Sequence, residues 1–194
     1  MSILNETPVT RMRANVRKVY RRAESIDHTE GRAWYKEAQS IAREIGQGDT
    51  RKGAGIIAAL SPMVRWDKNI EYAREGVQSH VFTGNFRKNN DKARRIFEGD
   101  APESVLGGDK VRAFYENILT GGESETPVVD RHALAIALGR PLNDRERKIT
   151  RAQYKRVAQV YRDVAREFKL APSVLQAITW VAWRREKGEG DNDN

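Results

Sequence analysis

Apolar residues recur every three or four positions along most of this chain, and stretches that alternate apolar with polar are nearly absent. A helix repeats every 3.6 residues and a strand every two, so the pattern predicts an all-α fold of eight or nine helices. Around Thr10 to Ser25, Met12, Val16, Val19 and Tyr20 make one apolar stripe, and Arg11, Arg13, Arg17, Lys18, Arg21 and Arg22 surround it. This is a strongly basic amphipathic helix. A second helix is predicted near Glu30 to Ile45, with Trp34, Ala38, Ile41 and Ile45 inward and Gly46 and Gly48 as its stop. Asp49 or Thr50 can cap a third, which runs through Gly53 to Leu60 and ends at Ser61-Pro62. It is the most apolar segment and is expected at the centre of the core.

Beyond Pro62, helices are predicted near Trp66 to Gly76 and Asn90 to Glu98, with an irregular connection from Val77 to Phe86. Pro102 suits a first helical position and opens one turn. Gly107-Gly108 interrupts the chain before a helix from Lys110 to Leu119, and Gly121 to Pro127 reads as a flexible link. Asp130 to Leu138 follows, closed by Gly139, then a long basic helix from Arg151 to Phe168 and a last one from Pro172 to Arg185. The polar, acidic tail Glu186 to Asn194 has little to bury and is expected to be disordered. A chain of 194 residues accommodates one domain with a sizeable core, or two small lobes sharing a cleft. The expectation is a single helical domain over residues 1–185.

Charge narrows the choice of partner. The 35 Lys and Arg against 27 Asp and Glu give a formal charge of +8, which favours a polyanion and puts nucleic acid first, with charge that serves only solubility as the alternative. Without any cysteine, disulfides, thiolate zinc sites, cysteine nucleophiles and Cys-ligated iron–sulfur clusters are excluded. No apolar run reaches the length of a membrane span, about 18 residues, and Met1 to Thr10 lacks the apolar centre of a signal peptide. An intracellular, cytoplasmic protein with no membrane partner is expected. The pattern says nothing of oligomeric state.

Two residues point to a reaction. Lys110 follows Gly107-Gly108 at a predicted helix start, where open backbone N–H groups bind anions such as a DNA phosphate. By position alone Lys110 reads first as a surface lysine after a loop; the functional reading is that those N–H groups disfavour the ammonium, and partial burial would add to that, so that Lys110 can be a nucleophilic amine. Asp130 follows Pro127-Val128-Val129 and heads an apolar-faced helix; it reads first as an N-cap, and a rigid capping carboxylate can also support an oxocarbenium-like sugar. An amine that attacks a sugar carbon beside such a carboxylate is the minimum equipment for breaking an N-glycosidic bond. His132, two residues on, lies on another face of that helix and reads as structural first. Trp34, Trp180 and Trp183 read as packing.

The order of a glycine-containing turn, a lysine opening a helix and a Val-Asp-x-His element about twenty residues later resembles the helix-hairpin-helix DNA glycosylases, the superfamily of endonuclease III and 8-oxoguanine glycosylase. Upstream, Ile56 to Pro62 with Trp66, Asn69-Ile70 and Ala73 is similar to its early pattern. Downstream, Leu170-Ala171-Pro172 with Leu175-Gln176, Trp180 and Arg184 is similar to the closing helix of some members. The resemblance covers residues from about 53 to 185. It implies a two-lobed helical fold with a cleft between the lobes, base flipping into that cleft, and Lys110 and Asp130 as the catalytic pair. It also implies DNA contacts from Gly107, Gly108, Arg112 and Arg131, and a base pocket from Trp66, Asn69, Phe114 or Tyr115, and His132. No metal or soluble cofactor is needed, and a Schiff-base lyase step can follow. The hairpin departs from the family's Leu-Pro-Gly-x-Gly-x-Lys, since only Gly107-Gly108-Asp109 separates Leu106 from Lys110. Asp109 adds negative charge there, which Lys92, Arg94, Arg95 and Arg112 can offset. Some phage-encoded proteins resembling this superfamily are associated with DNA hypermodification, which suits a small, basic relative with an altered hairpin. A module that kept the fold and only binds DNA is the non-enzymatic alternative.

Overall fold

A computed structural model of the chain describes residues 3–144 and 146–188, and among these all regular structure is helical, with no strand. The elements are α1 (Ile3–Glu6), α2 (Val9–Arg22), α3 (Ser25–Ile45), α4 (Thr50–Leu60), α5 (Trp66–Ser79), α6 (Arg87–Phe97), α7 (Pro102–Val105), α8 (Asp109–Leu119), α9 (Arg131–Leu138), α10 (Arg151–Glu167) and α11 (Pro172–Lys187). The all-α expectation holds. The helices divide between two compact units, one holding the chain up to Trp34 together with Gly122–Gly188, the other Tyr35–Gly121. The division falls inside α3.

In the first unit, the predicted stripe of α2 is buried: Met12, Val16 and Val19 pack in one core with Leu134 and Ile136 of α9, Val157, Val160, Tyr161 and Val164 of α10, and Leu175 of α11. Around that core the basic residues of α2 meet carboxylates of α10. Arg13 pairs with Asp163, and Arg17 grips Glu167 through two hydrogen bonds of 2.8 Å. Helix α3 starts at Ser25 rather than near Glu30 because Asp27, fully buried, accepts the Glu24 N–H at 2.7 Å. Arg185 of α11 completes that carboxylate with bonds of 2.9 and 2.8 Å. Burial alone would raise the Asp27 carboxyl, but the Arg185 guanidinium and the Glu24 N–H together hold it below the ordinary carboxylate range. Gly31 faces α11 so closely that a Cβ there would lie 2.6 Å from the Ile178 Cα.

In the second unit α4 is central, as its apolar sequence predicts: every residue from Gly53 to Leu60 is buried, and α5, α6, α7 and α8 all pack against it. Asp49 is its N-cap, accepting the Lys52 N–H at 3.0 Å. Phe82 folds back over Gly76 and stacks against Phe97 at 5.8 Å, so the irregular connection after α5 is anchored in this unit.

Several boundaries differ from the periodicity. Helix α5 continues to Ser79 and α6 begins at Arg87, while the four-residue α1 and α7 bring the helices among the described residues to eleven. The link from Gly121 to Pro127, expected to be flexible, is pinned: the buried Ser173 hydroxyl accepts the Ser124 N–H at 3.2 Å and hydrogen-bonds the Gly122 carbonyl. Of the tail expected to be disordered, Glu186 and Lys187 are the last residues of α11, and Glu186 pairs with Arg22 at 2.8 Å. The remainder of that expectation, over 189–194, lies outside the described residues. No helix among them is long and apolar enough to cross a membrane.

Candidate functional site

Asp130 is the N-cap of α9 in an extended conformation, its Oδ1 accepting the Ala133 N–H at 2.7 Å. The segment leading to it is fixed from behind. Val128 and Val129 are buried, the Val129 N–H donates to the Tyr154 hydroxyl at 3.2 Å, and the Tyr161 hydroxyl donates to the Ala133 carbonyl at 3.2 Å. Tyr161 is fully buried, and that burial, reinforced by the negative charge of Asp130, pushes its phenol well above the ordinary range. Asp130 itself is half-buried, and its Oδ2 accepts no hydrogen bond among the described residues. One oxygen is anchored and the other is open, which is the geometry a stationary carboxylate needs to face a substrate cation.

Two residues beyond Asp130, His132 joins an aromatic and cationic group of the same unit. His132 is buried, receives the Arg131 Nε–H at 3.2 Å and meets the Trp180 ring edge-on at 6.3 Å. Arg131, expected to contact DNA, is engaged with it. Trp180 also touches Trp34 at 5.9 Å and carries the Arg184 guanidinium over its ring at 4.2 Å. Trp183 is buried, as packing requires, whereas Trp34 and Trp180 are half-exposed. Helical spacing placed both on apolar faces, and only their position at the rim of the core distinguishes them from Trp183.

Lys110 is the second residue of α8 and is exposed, where partial burial was expected. Before it, Gly108 is the N-cap with φ 82°, and a Cβ at Gly107 or Gly108 would meet nothing within 4 Å. The turn is open to an approaching group. Arg112, counted among the DNA contacts, turns back and donates its Nε–H to the Leu106 carbonyl at 2.9 Å, fixing the hairpin backbone. Arg94 and Arg95 are paired with Glu98 and Asp100, both at 2.7 Å. One turn beyond Lys110 on the same helix, the half-buried Phe114 meets Trp66 edge-on at 6.3 Å, so these two expected pocket residues do come together. Asn69 is buried and points its amide at the Ile57 carbonyl, 3.1 Å away, tying α5 to α4.

Beneath the hairpin lies a charged lock. Glu103 of α7 accepts from Arg51 of α4 at 2.5 and 3.2 Å and from the Tyr115 hydroxyl of α8 at 2.6 Å. The Arg51 hydrogen bonds first, then that of Tyr115, lower the Glu103 carboxyl to about 2; burial, then the bond to Glu103, raises the Tyr115 phenol. A carboxyl held low in the folded state stabilises it above the ordinary carboxylate pKa, and that stability disappears as pH falls from about 4 towards 2. Glu103→Gln is accordingly expected to flatten this acid limb of stability and to lower the Tyr115 pKa in an ultraviolet absorbance titration. An unchanged phenol titration would show that Glu103 and Tyr115 are not coupled.

Two apolar side chains escaped the periodicity because they lie in turns. Met63, with φ 64°, is 90% exposed in the loop after α4, and Phe86 is 65% exposed at the start of α6. The Asn85 amide links the two turns, donating to the Leu60 carbonyl at 2.5 Å and the Pro62 carbonyl at 3.3 Å. The sequence signal was an apolar residue outside any helical stripe, followed in one case by Arg87-Lys88. Among the described residues no three His, Asp or Glu side chains gather as a metal site would require.

Residues 1–187 match the family described as a family of unknown function, DUF7178. No curated protein and no solved structure matches the chain.

Proposed function

We propose that this chain, which belongs to the DUF7178 family, is a DNA-binding enzyme of the two-lobed glycosylase type that removes a damaged or modified base. The observation that carries this reading is the half-engaged Asp130 carboxylate, with Oδ1 held by the Ala133 N–H and Oδ2 open. In this reading a flipped nucleotide presents its sugar to Oδ2, and positive charge developing at the anomeric carbon as the C–N bond breaks is stabilised by the fixed negative charge. The Lys110 amine or a water then bonds to that carbon, and the base leaves with a proton. Further support comes from the open turn before Lys110, the Trp66–Phe114 pair one turn away, and the exposed Met63 and Phe86, apolar side chains of the kind that wedge between base steps.

The test is borohydride trapping of the full chain on DNA duplexes carrying damaged bases or an abasic site. A covalent adduct is expected with the native chain and its loss with Lys110→Ala. If Lys110→Ala traps as well as the native chain, Lys110 is not the nucleophile. The exposure of Lys110 favours a second reading in which water attacks and no adduct forms. Nucleoside mass spectrometry then decides: a lost base supports hydrolysis, a changed base supports hypermodification, and unaltered DNA that is nonetheless bound supports a binding module.

A further inference from the structure

The basic residues of helix α2 divide into paired and unpaired sets. Arg13 and Arg17 flank the buried stripe and pair with Asp163 and Glu167, and Arg22, exposed on the same side as Arg11 and Lys18, pairs with Glu186. Arg11, Lys18 and Arg21 are exposed and form no ion pair among the described residues, though Arg21 contributes to the field that lowers the Glu167 carboxyl. The helix holds no acidic residue. At 1.5 Å per residue the unpaired set spans about 15 Å along the axis. Over that length each strand of a duplex passes about four phosphates.

From this we infer that the outer face of α2 is a binding surface for the phosphate backbone of duplex DNA, carried by Arg11, Lys18 and Arg21. The paired cations offset the carboxylates nearby: Arg13 and Arg17 engage Asp163 and Glu167, the two carboxylates of adjoining α10, and Arg22 engages Glu186 of α11, which leaves Arg11, Lys18 and Arg21 as surplus positive charge. A membrane surface fits less well: an interfacial helix inserts an apolar stripe, and here Met12, Val16 and Val19 are already buried in the core. An acidic protein fits less well too. A protein interface needs a desolvated apolar or aromatic centre, and the exposed positions between the three cations include only Ala14. The three cations also lie in a line rather than converging, which suits a polymer of phosphates and not a single phosphate group. The segment precedes the stretch that resembles the glycosylases, and the inference rests on the protein binding DNA but not on the chemistry of Asp130.

The test is fluorescence anisotropy of a short DNA duplex over about 50 to 200 mM salt, with the full chain and with the variant R11Q/K18Q/R21Q. All three side chains are exposed and without ion pairs among the described residues, so the variant should fold, which circular dichroism checks. About 0.9 is added to the slope of log affinity against log salt for each phosphate neutralised, so the variant's slope should be shallower by about 2 to 3. An unchanged slope and affinity in the folded variant overturn the inference, as does native binding to phosphatidylserine vesicles but not to the duplex. The two proposals fail separately. A slope that depends on α2, with base release indifferent to Asp130→Asn, leaves this inference standing and removes the catalytic reading; Asp130-dependent release with an unchanged slope does the reverse.

Discussion

Gly53→Ala is expected to destabilise the unit built on α4 severely. The methyl group would overlap the Ala42 carbonyl oxygen and lie 2.7 Å from the Ala42 carbonyl carbon and 2.8 Å from the Gly46 nitrogen. All three atoms are backbone. No rotamer change relieves the clash, so the end of α3 and the start of α4 must separate, and with them the Asp49 cap. Overpacking of this kind ranks with the largest single-residue effects, about 4 kcal/mol or more, against a total stability of about 5 to 15 kcal/mol for a folded chain. Thermal unfolding followed by circular dichroism measures it, with Gly107→Ala as the control. A Cβ at Gly107 meets open space, so that variant should melt within about 0.5 kcal/mol of the native chain. A native-like melt for Gly53→Ala would mean that α3 and α4 are not in contact at these glycines.

Asp130→Asn is expected to leave stability nearly untouched while lowering base release by about 100- to 10,000-fold. Asparagine caps helices as well as aspartate does, so the bond from the Ala133 N–H survives and α9 keeps its start. What disappears is the charge. Asp130→Ala loses both cap and charge, and should add about 1 kcal/mol of destabilisation without a much larger fall in rate. Comparing the two variants in single-turnover base release and in thermal melts separates the capping role from the chemical one. Equal activity of Asp130→Asn and the native chain would reduce Asp130 to a cap.

Elements whose ends carry their own chemical signals were legible in the sequence. Asp49 and Asp130 cap helices with their side chains, and Gly139 closes α9 in the left-handed conformation. The early start of α3 was not legible: Ser25 to His28 shows no apolar stripe, and the partner that completes Asp27 is Arg185, distant in sequence. The candidate site divides the same way. Lys110 and Asp130 could be named from their places at helix starts, whereas the turning of Arg112 to Leu106, the engagement of Arg131 with His132, and the burial of Asn69 depend on neighbours that periodicity does not specify. Met63 and Phe86 offered only the weak signal of an apolar residue outside any stripe, since loop residues have no period to violate.

The position of the unit boundary within α3 bears on how the chain is made. Among the described residues the second unit is one uninterrupted stretch, Tyr35–Gly121, and can complete its core as soon as it leaves the ribosome. The first unit is split, so α2 emerges early with Met12, Val16 and Val19 bare and waits more than a hundred residues for α9, α10 and α11 to cover them. Its basic residues wait as well, with Asp163 and Glu167 yet to be synthesised. During that interval the apolar stripe and the cations of α2 are uncovered together, and the first unit takes its order only once α9, α10 and α11 have been made.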